Sequence, residues 1–148
     1  RGISRIGEIT ALSRVYETEP VGGPSGQPNY YNQVALVTVP GHVQAGDVLR
    51  ELQALEHAAG RTRTVHHGPR TLDLDLIFFG EETSDEEWLT LPHPRMHERA
   101  FVLVPLVEAL EQAEWEWTHP HRGRTASDLL AALPPRGTPP IAMTTAVF

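Results

Sequence analysis

Apolar and polar positions along the chain switch between a period of two and a helical period, and the switches divide it into elements. Residues 9–17, ITALSRVYE, are rich in β-formers and predict a strand. Residues 19–29 hold three glycines and three prolines and predict a loop. Tyr30–Val39 contains VALVTV, a β-branched run suited to a buried strand, which Pro40 and Gly41 end. In 47–59, Val48, Leu49, Leu52 and Leu55 fall on one helical face, with Gly60 as the expected C-cap. A loop is expected over 61–70 and a strand over 71–80, TLDLDLIFFG. The five acids within 81–87 predict a solvated turn, and LTLPHPRMHER, 89–99, a loop. Ala100–Ala113 predicts a second amphipathic helix, 114–120 a short edge strand, and 126–133 a short helix with Ser127 as its cap. The tail from 133 to 148 is expected to be irregular. Interleaved helices and strands with short connections predict an α+β or open-faced α/β sandwich. No repeat or linker divides the 148 residues, so one domain is expected.

Composition narrows the chemistry. With no cysteine there is no disulfide framework, thiolate metal site or cysteine nucleophile in this sequence. All twelve basic residues are arginines, which removes a Walker A lysine and any Schiff-base mechanism. Phosphate, if handled, must be met by arginine, with magnesium as helper. A formal charge of −7 disfavours broad nucleic-acid binding but allows a small anion in a local basic pocket. The apolar runs are too short for a membrane span. The chain opens on Arg1, so it is expected to lack its natural start.

The stretch 61–75 carries the candidate chemistry. On a strand, Asp73 and Asp75 project to one side while Leu72, Leu74 and Leu76 face the other. Carboxylates about 6–7 Å apart by strand rise suit one or two hard cations, and magnesium takes such oxygen ligands together with water. An edge strand with a wet face explains the same pattern equally well. The preceding basic loop, with Arg61, Arg63 and Arg70 and no acid, favours a polyphosphate facing a metal pair.

HGPRTLDLDLIFFG, followed by LPHPRMHERAFVLVPL and preceded by YETEPVGGPSGQPNYYNQV, resembles the 6-hydroxymethyl-7,8-dihydropterin pyrophosphokinase family over roughly residues 9–130. The resemblance implies a ferredoxin-like α+β sandwich, with a mainly antiparallel sheet and helices packed on it. It also implies transfer of pyrophosphate from ATP to the pterin hydroxymethyl group, with release of AMP. Asp73 and Asp75 match the pair that binds two magnesium ions, and Arg61 and Arg70 match arginines that contact phosphate and assist catalysis. Gln53, Glu56, Arg63, His93 and Arg99 match the ATP side. Thr18, Pro20, Val21, Tyr30, Asn32, His67 and Phe101 match the pterin side. The physical readings are compatible: a flat heterocycle suits two aromatic faces and one amide, and an amide entering a buried strand needs a partner. Taken singly, Tyr30 and Phe101 would more often be core residues and His93 a surface one. His119 and His121 carry no motif and are expected at the surface. The resemblance further implies a cytoplasmic monomer whose partners are small molecules, without nucleic acid or membrane.

Two departures stand out. The family's opening strand, ending in Gly-Ser-Asn-Leu-Gly, and its first helix have no counterpart here. With the catalytic residues intact, truncation is expected rather than a degraded relative. In the basic loop, His67 stands where the family often has tryptophan. It offers less apolar area for stacking. The loops 19–29 and 61–69 are the expected lids. Two rivals remain: a non-catalytic nucleotide or pterin binder, and a transition-metal hydrolase using His66, His67, His93 and the two aspartates.

Overall fold

The computed structural model describes residues 2–18, 30–61, 73–134 and 141–142, with the backbone alone at 61, 141 and 142. After a 3-10 turn at Gly2–Arg5 come β1 (Glu8–Leu12), β2 (Tyr16–Thr18), β3 (Tyr30–Asn32), β4 (Ala35–Thr38) and α1 (Ala45–Arg61). The hairpin β5 (Ser84–Glu86) and β6 (Leu89–Leu91), α2 (Ala100–Gln112), α3 (Ala126–Ala131) and β7 (Ile141–Ala142) follow. Each strand pairing is antiparallel: β1 with β4, β2 between β3 and β7, and β5 with β6. With α2 packed on β1, β4, β2 and β3, the fold is α+β.

The two long strands expected over 9–17 and 30–39 are each broken, and at the same level. Ser13, 2% exposed, exchanges its N–H and hydroxyl with Val34: Ser13 N–H donates to the Val34 carbonyl, and Val34 N–H donates to Ser13 Oγ, both at 2.9 Å. Gln33 Nε2 donates to the Ser13 carbonyl at 2.7 Å. A side-chain oxygen thus replaces a ladder bond, which lets both chains bend together without leaving a buried polar group unpaired. The bend separates β1–β4 from the β3–β2–β7 ribbon. At the outer end of β1, a Cβ on Gly7 would lie 2.3 Å from the Thr38 carbonyl oxygen, so only glycine fits this approach.

Several other expectations are corrected. Helix α1 runs through Gly60, which is therefore no C-cap. Residues 73–79 form no strand, because alternation alone supplies no partner; Ile77 and Phe78 instead pack against the core. The acid-rich turn is half of a hairpin, in which Ser84 Oγ donates to the Leu89 carbonyl at 2.5 Å. Residues 114–120 keep the alternation of an edge strand, but only one bridge forms, between Thr118 and Thr125. Thr125, not Ser127, caps α3, in a reciprocal capping box with Asp128. The tail contributes β7, and the expected loops at 19–29 and 62–70 lie outside the described residues. His119 is buried rather than exposed: its Nδ1 accepts the His121 N–H at 3.2 Å and its ring meets Trp117 edge-on at 5.6 Å.

The core joins Ala11 and Leu36 of the sheet to Met96, Leu103, Leu106, Ala109 and Leu110 around α2, closed by Trp117, Ala126 and Leu129. Helix α2 ends in a Schellman arrangement: Trp115 N–H reaches the Leu110 carbonyl, Glu114 N–H reaches that of Glu111, and Glu114 sits at φ 52°. A side chain in the left-handed region costs more than glycine does. Glu114→Gly is therefore expected to raise stability by about 0.5 kcal/mol, read as a higher denaturation midpoint at unchanged slope.

Candidate functional site

A polar contact joins helix α1 to the segment 73–80. Glu56 Oε2 accepts the Leu74 N–H at 2.8 Å, which pins the backbone between the two candidate metal ligands. Asp73 and Asp75 are both exposed while Leu74 and Leu76 are half-buried, so the carboxylates share the solvent side, as the alternation predicts. Downstream, His93 N–H donates to the Ile77 carbonyl at 2.7 Å. Phe78 stacks on Trp117 at 4.2 Å and 10°, and Trp117 Nε1 donates to the Gly80 carbonyl at 2.8 Å. Gly80, at φ 57°, then turns the chain into the hairpin. The acidic segment is thus held at Leu74, Ile77, Phe78 and Gly80 without belonging to a sheet.

His93 faces this segment. Burial holds its imidazole below the ordinary histidine value; Asp75 opposes that shift, and Arg99 and Arg95 reinforce it. Burial thus favours the neutral ring, and because Nδ1 accepts the Arg95 N–H at 3.3 Å, the proton of that neutral form belongs on Nε2. A neutral Nε2–H is a hydrogen-bond donor for a phosphate oxygen without adding a charge. Arg99 precedes α2 as its N-cap residue, and no acidic side chain occupies that helix's first turn. Its guanidinium lies 5.5 Å from the centre of the Phe101 ring. An arginine at a helix N-terminus favours an anion twice over, through its own charge and through the free N–H groups.

The pterin-side candidates assemble by register. Thr18 pairs with Tyr30 and Tyr16 with Asn32. Directly opposed residues, and residues two apart, share a face, so Tyr16, Thr18, Tyr30 and Asn32 lie on one side of the ribbon. Tyr30 is 60% exposed; Thr18, Asn32 and Phe101 are half-buried. Gln53 is an exposed residue of α1. Arg61 ends α1, and its side chain lies outside the described residues, as do Pro20, Val21, Arg63, His66, His67 and Arg70. Two hollows, of about 360 and 460 Å³, are lined chiefly from α2 and the segments around it. Neither of these two is lined by Asp73, Asp75 or His93.

A cluster that sequence reasoning missed ties β2 to α2. Glu108 Oε1 accepts the Arg14 N–H at 2.6 Å, and Oε2 accepts Arg14 Nε at 3.0 Å, Nη2 at 2.8 Å and the Tyr16 hydroxyl. The Arg14 hydrogen bond is the main cause that holds the Glu108 carboxyl at about 2, against the opposing effect of burial. Burial and Glu108 together push the Tyr16 hydroxyl up. The only sequence signal was Tyr16 standing two residues from Thr18 on a strand. A carboxyl lowered in the folded state stabilises fully above its unfolded value of 4.5 and loses that contribution as pH falls through about 2. Acid titration of stability should therefore be flatter between pH 5 and 2 in Glu108→Gln, by about 1–2 kcal/mol after screening at the exposed Arg14. The measurement is denaturant unfolding of both proteins at several pH values.

Two exposed carboxylates, a half-buried histidine and an arginine-bearing helix start thus lie on one α+β scaffold. The sequence model of the 7,8-dihydro-6-hydroxymethylpterin-pyrophosphokinase family matches residues 1–111, and the chain belongs to that family. It is similar to proteins named 2-amino-4-hydroxy-6-hydroxymethyldihydropteridine pyrophosphokinase from three bacteria. With that of Bacillus subtilis (strain 168) it shares 43% identity over 110 residues, 74% of this chain and 64% of the relative. With that of Synechocystis it shares 40% over 123 residues, 83% and 59% respectively. With that of Pseudomonas aeruginosa it shares 40% over 129 residues, 87% and 75%. The chain thus spans about three fifths of the length of the first two relatives. Among the described residues, no helix is long and apolar enough to cross a membrane.

Proposed function

We propose that this chain transfers pyrophosphate from ATP to 6-hydroxymethyl-7,8-dihydropterin in folate biosynthesis, releasing AMP. The observation that carries the reading is the acidic pair: Asp73 and Asp75 on one exposed side of a segment pinned by Glu56, beside His93, in a chain of this family. The donor set fits magnesium. Among the described residues no three histidines or carboxylates gather as a ligand set, and magnesium needs only one or two carboxylates, completing its octahedron with water and substrate phosphate. Asp73 and Asp75 would hold the two ions, which when bound neutralise the phosphate charge. Arg61, Arg63, Arg70 and Arg99 bind the phosphate chain, His93 donates to one of its oxygens, and Gln53 and Glu56 border the nucleotide from α1. Thr18, Pro20, Val21, Tyr30, Asn32, His67 and Phe101 receive the pterin.

In the proposed reaction the hydroxymethyl oxygen forms a bond to the β-phosphorus in line with the departing α-phosphate oxygen. AMP leaves with that bridging oxygen, and the hydroxyl proton passes to Asp75 or solvent. The protein's part is chiefly orientation and electrostatic complementarity. The reading places a single ferredoxin-like domain, active as a monomer, in the cytoplasm, where ATP is available. Its test is AMP formation in the presence of magnesium and ATP, with and without the pterin. AMP that appears only with the pterin supports the reading; AMP formed equally without it, or zinc retained in stoichiometric amount through purification, overturns it.

A further inference from the structure

The face that carries Thr18, Tyr30 and Asn32 is also the face from which Tyr16 reaches α2. Exposure grades along it, from Tyr16 at 6% to Tyr30 at 60%, so the ribbon and the helix are closed at the Tyr16 end and open at the Tyr30 end. Helix α2 carries Phe101 near its start and Glu108 seven residues later. Seven residues make almost two full turns, so the two side chains leave the helix on one side, about 10 Å apart along its axis. Phe101 thus lies at one end of this side and the Glu108–Tyr16 bond at the other, with α2 packed on both β2 and β3 between them. The bond is reinforced by Arg14, which clasps the same carboxylate from the bend that precedes β2.

From this arrangement we infer that Glu108 is a positioning residue for the pterin: through Tyr16 and Arg14 it fixes the spacing between the Phe101 wall on α2 and the Thr18–Tyr30–Asn32 wall on the ribbon. The inference rests on the proposed pterin reading of those walls. A planar ring stacked between two surfaces tolerates little change in their separation, because dispersion contact falls off within a fraction of an ångström to an ångström of gap. Glu108 touches no reacting group, and its effect is confined to the geometry of one substrate's pocket. The nucleotide side, built on α1, the 73–80 segment and His93, does not depend on it.

The test compares wild type with Glu108→Gln and Tyr16→Phe, which keep side-chain size while removing the charge or the hydroxyl. Binding of the fluorescent oxidised analogue 6-hydroxymethylpterin is measured with magnesium and a non-hydrolysable ATP analogue, and binding of the ATP analogue is measured alone. Each single variant is expected to weaken pterin binding about tenfold and leave ATP-analogue binding within twofold. The double variant is expected to be no worse than the weaker-binding single one, because both substitutions act on the same Glu108–Tyr16 contact. A purely structural role would instead lower the active fraction and the unfolding midpoint at unchanged pterin affinity. That result, or equal losses for both ligands, overturns the inference. Wild type that binds neither ligand overturns this inference and the proposed function together. Wild type that binds the pterin analogue but forms no AMP overturns only the reaction, and the variants' affinities still decide the role of Glu108.

Discussion

Asp75→Asn is expected to lower pterin-dependent AMP formation about a thousandfold while leaving the fold intact. The carboxylate is exposed, its segment is anchored through Leu74 and Phe78 rather than through its own side chain, and an amide of equal size keeps the local shape. Stability should therefore stay within about 0.5 kcal/mol of wild type, as for other surface substitutions away from structural features. The rate should not, because a charge aimed at a reacting polyphosphate contributes several kcal/mol to the transition state, and about 4 kcal/mol is a thousandfold. Asp73→Asn should follow the same direction. Steady-state rates over a range of magnesium concentration check both, with circular dichroism as the control for folding. Retention of more than a tenth of the wild-type rate by Asp75→Asn at saturating magnesium would remove it from the catalytic set.

Trp117→Ala should cost about 3–5 kcal/mol of stability, the usual range for removing a large aromatic from a core. Trp117 is 1% exposed, stacks on Phe78 and donates to the Gly80 carbonyl, so its loss leaves a cavity and an unpaired acceptor together. That is a large share of the roughly 5–15 kcal/mol that holds a domain folded. Trp117→Phe separates the two contributions: it keeps a stacking partner for Phe78 and loses the Gly80 hydrogen bond, at about 1–3 kcal/mol. Urea denaturation of the three proteins gives the comparison. A fall of less than 1 kcal/mol for Trp117→Ala would mean that Phe78 and Trp115, already edge-on at 5.6 Å, close the gap by themselves. Because Phe78 lies three residues from Asp75, the alanine variant is also expected to bind magnesium–nucleotide less well at temperatures where it remains folded.

Legibility varied with the range of the interaction. Helix α2 was expected over 100–113 and runs over Ala100–Gln112, since a helix closes its hydrogen bonds within itself and its apolar period is a local property. The segment 73–79 has the alternation of a strand but is not one, since a strand also needs a neighbour that alternation cannot supply. The hairpin at Ser84–Leu91 was hidden for the opposite reason: its acids suit solvent, yet its backbone pairs with itself. Within the candidate site, the sharing of one side by Asp73 and Asp75 was readable from period two alone. The role of Glu56 in holding Leu74 was not, because nothing in a helical glutamate specifies which distant N–H it will meet. The Arg14–Tyr16–Glu108 tie was still less visible, with Tyr16 and Glu108 92 residues apart.

The sequence alone therefore determined the family, the α+β alternation and the residue types available for phosphate chemistry: arginine without lysine, paired aspartates and no thiol. The family follows from the match of its motifs, the rest from local periodicity and from which functional groups exist, and none of this requires knowing the path of the chain. Tertiary structure alone decided where the long strands bend, which carbonyl Trp117 satisfies, that burial lowers the His93 pKa and that His119 is buried, and that Glu108 fastens β2 to α2. Each of these depends on the desolvation of a group by residues far away in sequence, which is fixed only when the chain has closed on itself.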